Sequence, residues 1–555
     1  VPAMVVNFQD TPIDWAYQTE SEPVACLGYP DEKCSWPRGK VLGGTSVLNG
    51  MMYMRGQPKD YDNWKEAGNE GWGYNDVFPY FLKSEDNLEI GTLVDRRYHA
   101  RGGYMTVSRF PNQPEIANDI LAAAWELGYP ISNDLTGEQY SGFAIAQACV
   151  RNGGRLSSAR AFLRPNNVRR RPNLHILLNA TATRLQFNNY NNKKSVKGVE
   201  VLVNNRKSYT IRVRKEIVLS AGAINSPQIL LLSGVGPKKV LNDAGIQQVH
   251  ELPGVGANLQ NHVAFYMVFN LLKQNNTFDL NWPALLDYVI YKRGPLASTG
   301  MSQITARINS RHADASGTYP DLQLFFGGYS ANCANTGEVN ALRNASNPVE
   351  PRQIYISPVA LHTKSRGYIA LNSSNPLDPP LMFANYLTAP EDMAVMIDGV
   401  RVCQALANTN VLKEKYGIEM ADIPYGDCAD RYIYNSDEYW DCAIRHSTGP
   451  ENHQSGTCKM GPTTDPMAVI NPKLQVYGID GLRVMDASVM PTLVSGNTHA
   501  TIVMIAEKGS DMIKQRWLGN NYSKDKTKSQ YQKSVSNFIS KPPYRNNWRG
   551  GYLKQ

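Results

Sequence analysis

The stretch Glu216-Ile217-Val218-Leu219-Ser220-Ala221-Gly222-Ala223-Ile224-Asn225-Ser226-Pro227-Gln228-Ile229-Leu230-Leu231-Leu232-Ser233-Gly234 decides the fold class. Its opening Ile-Val-Leu run has no polar alternation, which reads as a strand buried on both faces. Ala221-Gly222 makes a tight turn. The spacing then predicts a helix with Ser226 as N-cap and Pro227 at its first position. Leu230-Leu231-Leu232 supplies the core face and Gly234 the stop. Strand, glycine turn and helix in that order form the repeating unit of a parallel α/β sheet. A second such strand is Gly481-Leu482-Arg483-Val484-Met485-Asp486, which ends in a carboxylate. It leads through Ala487-Ser488 to the loop Ser495-Gly496-Asn497-Thr498-His499 and a helix expected from Thr501 to Ile513.

Outward from these elements the texture changes. Helical periodicity covers residues 60–90 and 115–128, and short strands are expected at 175–178, 195–203 and 209–213. From about 263 to 450, strand-like runs such as 321–326 and 353–357 alternate with Pro/Asn/Ser turns, and helices are expected near 283–292 and 392–407. The expected architecture is a discontinuous α/β domain with an inserted α+β domain built on an antiparallel sheet. Its segments are 1–58, 155–262 and 455–519 for the α/β part, 59–154 as a lid or substrate-domain segment, 263–454 for the inserted substrate domain, and a basic tail over 520–555. With 555 residues the chain is long enough for two cores of unequal size.

The formal charge of +8 is a matter of one segment. Residues 520–555 hold eight basic side chains against the single acid Asp525, so the rest of the chain is nearly neutral. A basic face that reads nucleic acid would lie on a folded element. This tail is Asn-, Ser- and Lys-rich and reads as a disordered extension, so nucleic-acid binding is set aside. No run reaches the ~18 apolar residues of a membrane span. Eight cysteines contain no C-x-x-C pair. A disulfide between Cys26 and Cys34 would close a short polar segment, and Cys428 with Cys442 would make a second. With glycosylation sequons at Asn179, Asn275, Asn344, Asn372 and Asn521, these pairs lead to the expectation of a secreted protein. The opening Val-Pro-Ala-Met has no signal-peptide pattern and reads as a mature or partial form.

Chemistry concentrates in two loops. Glu451-Asn452-His453-Gln454-Ser455-Gly456-Thr457-Cys458 and Asn497-Thr498-His499 each carry a histidine, 46 residues apart. Imidazole titrates nearest neutral pH and can take a proton from an alcohol. His499 begins a helix, whose dipole disfavours the imidazolium and helps keep the ring a neutral base. Asn497 or Thr498 is the N-cap. Asp486, at its strand end, has a second reading as partner of a cofactor hydroxyl. Three glycine-rich turns, at 43–50, 221–225 and 496–498, suit the close approach of a phosphate or a flavin edge. The absence of G-x-S-x-G, H-E-x-x-H and G-x-x-x-x-G-K-[ST] argues against a hydrolase, a zinc protease and a P-loop protein.

These residues resemble the glucose–methanol–choline (GMC) family of FAD-dependent oxidoreductases. The first family motif matches Gly39-Lys40-Val41-Leu42-Gly43-Gly44-Thr45-Ser46-Val47-Leu48-Asn49-Gly50, and the second matches Gly222 to Gly236. The His-x-x-Gly-Thr-Cys and Asn-Thr-His elements complete the set, and similarity runs from about residue 10 to 517. Residues 450–454 and 495–500 most resemble the insect glucose dehydrogenase branch. The resemblance implies His453 as active-site base and His499 as its partner over the flavin. It carries FAD contacts onto Thr45, Asn49, Gly50, Met52, the backbone of Ala182, Ala221, Gly222, Asp486, Ala487 and Thr498. It implies that the α/β part is a Rossmann-like, FAD-binding domain. It also implies oxidation of a sugar or other alcohol, with electrons passed to a quinone-like acceptor. Steroid or aryl alcohol oxidation within the same family is the alternative.

The family pattern also includes an opening strand, a G-x-G-x-x-G turn with its helix, and a second strand ending in Glu. None of these reads in the sequence, since Gly254-Val255-Gly256-Ala257-Asn258-Leu259 lacks the third glycine. The expected consequence is a parallel sheet short of its central strands and no cradle for the ADP half of FAD. A second class of function follows from that, a non-catalytic fragment or degenerate paralogue unable to retain FAD. Two smaller departures are Thr501, where many relatives have Pro, and Asn261, where Asp is common.

Overall fold

The structure, a computed structural model, describes residues 1–5, 7–191, 193–275, 281–328 and 351–519. The tail expected over 520–555 and the sequons at Asn344 and Asn521 fall outside these residues.

Helices α1 (Pro58–Glu66) and α2 (Tyr74–Ser84) fill the first expected helical stretch, followed by α3 (Ile116–Glu126) and strand β1 (Gly142–Ile145). A three-stranded meander follows, of β2 (Ala180–Tyr190), β3 (Lys193–Val203) and β4 (Lys207–Arg212). Next come β5 (Ile217–Leu219) and α4 (Gly222–Leu232), the elements of the deciding stretch. Residues 263–450 contribute β6 (Val263–Phe265), β7 (Met267–Asn275), α5 (Trp282–Tyr291), β8 (Ile304–Ile308), β9 (Leu322–Gly328), β10 (Pro351–Ala360), α6 (Pro390–Ala407), β11 (Ile418–Met420) and β12 (Thr448–Pro450). The chain closes with β13 (Ile479–Asp480), β14 (Leu482–Val484) and α7 (His499–Leu518).

An eight-stranded antiparallel sheet runs β11-β7-β10-β9-β8-β1, with β6 bridging β10 to β12. Its inner face and helices α3 and α6 enclose one apolar core, which includes Phe265, Phe269, Leu324 and Ile356. A second core gathers α1, α2, α4, α7 and the parallel pair β5–β14, in register Ile217↔Leu482, Val218↔Arg483 and Leu219↔Val484. The mixed α/β and antiparallel architecture expected from sequence is therefore present.

Four local expectations are corrected. Residues 60–90 form two helices instead of one, because Gly68 and Gly71 adopt φ of +91° and +82°, a conformation that costs L-residues a steric clash. Residues 175–178 are not a strand; they are irregular, with Leu177 56 % exposed. β5 is not buried on both faces, since Val218 is 38 % exposed and the strand pairs only with β14 among the described residues. Finally, α4 begins at Gly222, so Ser226 and Pro227 lie inside the helix. An interior proline removes an amide and leaves the carbonyl four residues back without its helical donor. Here that carbonyl belongs to Ala223, and the Thr457 hydroxyl donates to it at 2.5 Å. The helix is continuous because a distant loop supplies the missing bond.

Candidate active site

The site forms where β6 meets β12. The two strands run antiparallel with Val263 opposite Pro450, so the residues just before β6 lie alongside those just after β12. Gln260 and Ser455 exchange backbone bonds of 3.0 Å, and the Glu451 amide donates to the His262 carbonyl at 3.1 Å. This ladder brings His262 and His453, 191 residues apart, to 2.9 Å between their Nδ1 atoms, with the rings nearly perpendicular. Asn261 holds the backbone of the same loop. Its Oδ1 accepts the His453 amide at 2.7 Å, while its Nδ2 donates to the Tyr386 hydroxyl at 2.5 Å. A carboxylate in place of Asn261 could still accept from the amide but has no hydrogen to give Tyr386.

On its other edge, His453 Nε2 faces the side-chain amide nitrogen of Asn497 at 3.3 Å. Asn497 is carried on the loop before α7, and that loop is anchored by Asp60. The Asp60 carboxylate accepts the Gln57 amide at the start of α1, and also the amide and hydroxyl of Ser495. Burial pushes His453 down to about 3, aided by the nearby Arg38 guanidinium, so the ring is a neutral base across the physiological range. Arg38 donates to the Asn452 carbonyl at 2.9 Å and fixes the loop from the other side. Glu451, the neighbouring acid, is raised to about 7 by burial, against a hydrogen bond from Tyr266.

His499 is not brought against His453; no hydrogen bond joins them. Its Nε2 lies 3.4 Å from the Ser158 hydroxyl and its Nδ1 3.8 Å from the Cys149 thiol. Burial and Arg155 push it down to about 4. The residue that meets His453 from this loop is Asn497, which sequence reasoning assigned to capping. Thr498 is the N-cap of α7 by position, with no side-chain capping bond.

The other expected contacts divide into two groups. Asp486 is already committed to the protein. Its Oδ1 accepts the amide and hydroxyl of Ser488 at 2.8 and 2.5 Å, and its Oδ2 accepts the Gly222 amide and Ser226 hydroxyl at 2.9 and 2.5 Å. A carboxylate has about four acceptor positions, so these bonds make Asp486 a brace between β14 and the start of α4. Asn49 Oδ1 is likewise taken, by Arg155 at 2.8 Å and the Met51 amide at 3.2 Å, and Thr45 Oγ1 accepts from the Gly39 amide at 3.3 Å. Met52 is buried in a bridge to Ala148, Ala182 lies opposite Val201 in the β2–β3 ladder, and Ala487 is buried beneath the 456–458 loop.

Open ground remains at Gly50, Ala221 and Gly222. Ala221 is exposed, and a Cβ built at Gly50 or Gly222 would meet nothing within 4 Å. Gly222 has φ +89°, which itself favours glycine, whereas Gly50 has no such requirement. Glycine at 50 keeps backbone bare where no protein atom packs. Buried polar atoms without partners lie on the two histidine loops: Asn452 Oδ1, both amide atoms of Gln454, Ser455 Oγ and Asn497 Oδ1. Leaving such atoms dry costs ~1–3 kcal/mol each. Bare backbone and unpaired polar edges are the complement of a flat, polar-edged ring system.

Hydrogen bonds tie these loops into one body. Arg155 joins the carbonyls of Ser46 and Asn49, the Ser158 amide donates to Ser46 Oγ, and the Gly456 amide donates to Ala487 O. Asn261, His262, Arg38 and Arg155 were all missed from sequence; only the Asn at 261, in place of the common Asp, was a visible signal.

Architecture and site together define an oxidoreductase of two layers, one α/β and one antiparallel. The chain belongs to the GMC oxidoreductase family: the family's N-terminal model matches residues 24–264 and its C-terminal model residues 363–506. It is 50 % identical over 517 residues to the glucose dehydrogenase [FAD, quinone] of Drosophila melanogaster, covering 93 % of this chain and 80 % of that one. It is 33 % identical over 520 residues to the mitochondrial choline dehydrogenase of Homo sapiens, covering 92 % and 81 %. Among solved structures, pyridoxine 4-oxidase from Mesorbium loti superposes with a TM-score of 0.75 at 26 % identity, covering 92 % of this chain and 90 % of that one. Formate oxidase, at 23 % identity and TM-score 0.78, shares the fold.

Proposed function

We propose that the protein oxidises the hydroxyl carbon of a sugar, glucose in the first instance, with FAD as hydride acceptor and a quinone-like compound as the final electron acceptor. The observation that carries this reading is His453, a neutral imidazole with Nε2 turned toward a polar loop edge that has unpaired atoms of its own. The relationship to the Drosophila glucose dehydrogenase supports the choice of sugar and quinone over aryl or steroid alcohols.

The redox end of FAD fits the residues present. Gly50, Ala221 and Gly222 offer bare backbone, and Asn497, Gln454 and the start of α7 offer polar groups. For the dinucleotide end, no G-x-G-x-x-G turn occurs among the described residues. When bound, FAD supplies the two-electron acceptor. The protein's part is proton handling and placement. His453 Nε2 takes the hydroxyl proton, Asn497 holds the same hydroxyl oxygen or its anion by its amide, and burial keeps His453 neutral and ready. Asn261 and Arg38 fix the loop so that Nε2 stays aimed. Disulfides Cys26–Cys34 and Cys428–Cys442 support a secreted, oxidising setting, and no helix among the described residues is long and apolar enough to cross a membrane.

The test is anaerobic mixing of the FAD-loaded protein with glucose while the visible flavin band is followed. The wild type is expected to bleach. His453→Ala is expected to retain the flavin spectrum and bleach at least ~10²-fold more slowly. Normal bleaching by that variant would remove His453 from the role. Purified protein without a flavin spectrum would favour the non-catalytic reading.

A further inference from the structure

Behind His453 stands a group that the reaction as described does not use. His262 is wholly buried, and its Nδ1 lies 2.9 Å from His453 Nδ1. Two imidazole nitrogens at that distance share a single proton, so one ring donates and the other accepts. The two possible arrangements have opposite consequences for His453. If His262 donates, the remaining proton of neutral His453 sits on Nε2 and the site has no base. If His453 donates, its Nε2 carries the lone pair.

The surroundings select between them. At the outer end, the Asn497 amide nitrogen faces His453 Nε2 at 3.3 Å, a donor that calls for a lone pair there. At the inner end, the backbone groups of Leu361 and Val494 favour a proton on the His262 ring. His262 Nε2 itself makes no hydrogen bond. Both donors then point one way: Asn497 to His453 Nε2 and His453 Nδ1–H to His262 Nδ1, which leaves the His262 proton on Nε2. Hydrogen bonds aligned in this sense polarise and strengthen one another. The Asn261 bond to the His453 amide keeps the ring in line.

We propose that His262 is a positioning residue that fixes the tautomer of His453, accepting from its Nδ1–H and so reserving Nε2 as the base. It does for this site, with a neutral imidazole, what a carboxylate or backbone carbonyl does for a histidine base elsewhere. The consequence for catalysis rests on His453 being the base; the tautomer assignment does not.

Two variants test it. Asn places its Oδ1 close to where His Nδ1 stood, so His262→Asn keeps an acceptor, while His262→Leu removes it. In the FAD-loaded protein, His262→Leu is expected to slow flavin reduction by glucose ~10–10³-fold, and His262→Asn to recover to within about tenfold of wild type. The second readout is independent of turnover: carbon-13 NMR of histidine-labelled protein, with the His453 signals assigned from His453→Gln. Wild type and His262→Asn are expected to show His453 protonated at Nδ1, and His262→Leu to show the population moving to Nε2–H. Finding Nε2–H on His453 in the wild type, or no change in His262→Leu, would overturn the proposal. If the tautomers behave as expected but His453→Gln bleaches normally, the positioning role stands and the base assignment falls.

Discussion

Two loops of similar composition each deliver a histidine to the interior, and their surroundings differ in kind. His453 sits between a neutral ring on one edge and a side-chain amide on the other, with its backbone held by Asn261. His499 sits against a thiol and a hydroxyl, beside the Arg155 that ties down the 43–50 turn. Both rings are held neutral by burial, so pKa alone does not distinguish a base from a structural histidine. Partners do. A base needs an orienter behind it and free polar ground in front, and only His453 has both.

The comparison can be sharpened at several points. Removing the shared brace should have the largest effect on the framework. Asp486→Asn replaces two acceptor positions with a donor facing Gly222 N–H or Ser488 N–H, and is expected to cost roughly 2–3 kcal/mol in stability. Thermal unfolding would register this as a lowered Tm; an unchanged Tm would mean that the four bonds to Asp486 contribute little. Next comes the front of His453. Asn497→Ala is expected to slow flavin reduction ~10²–10³-fold, an effect the size of one lost transition-state donor. Asn497→Asp sets a carboxylate beside Nε2, stabilises the imidazolium and therefore moves the pKa of His453 upward.

That variant bears on the pH profile. A base must be deprotonated to act, and burial puts the folded-state value of His453 at about 3. The acid limb of kcat/KM for glucose is therefore expected well below the ordinary histidine range, with little loss from pH 7 to pH 5. Asn497→Asp should bring the limb back toward neutrality. A wild-type limb between pH 6 and 7 would instead implicate a better solvated His453, or Glu451 with its value of about 7.

Much of this was legible in the chain and some was not, for identifiable reasons. The run Ile217-Val218-Leu219 and the run Leu482-Arg483-Val484 pair as parallel strands, which their patterns and glycine turns announced. The start of α4 was misread because the local signal Ser226-Pro227 is strong. The bond that lets Pro227 sit mid-helix comes from Thr457, 230 residues away in sequence. The family resemblance implies His499 as the partner of His453, while Asn497 reads locally as a cap. Asn497 lies in the loop before the helix and His499 is its first residue, so their directions follow from the path of that loop, which Asp60 anchors at Ser495. His262 gave no signal at all. Its relation to His453 arises from the β6–β12 pairing, a contact with no local trace.

The most direct measurement of the central claim sets the two histidines side by side. In FAD-loaded protein mixed anaerobically with glucose, the rate of flavin bleaching would be compared for His453→Gln and His499→Gln, each checked for an intact flavin spectrum. The expected result is a loss of at least ~10²-fold for His453→Gln and a change of no more than about tenfold for His499→Gln. The reverse order, or equal losses, would contradict the assignment of His453 as the base and Asn497 as its partner.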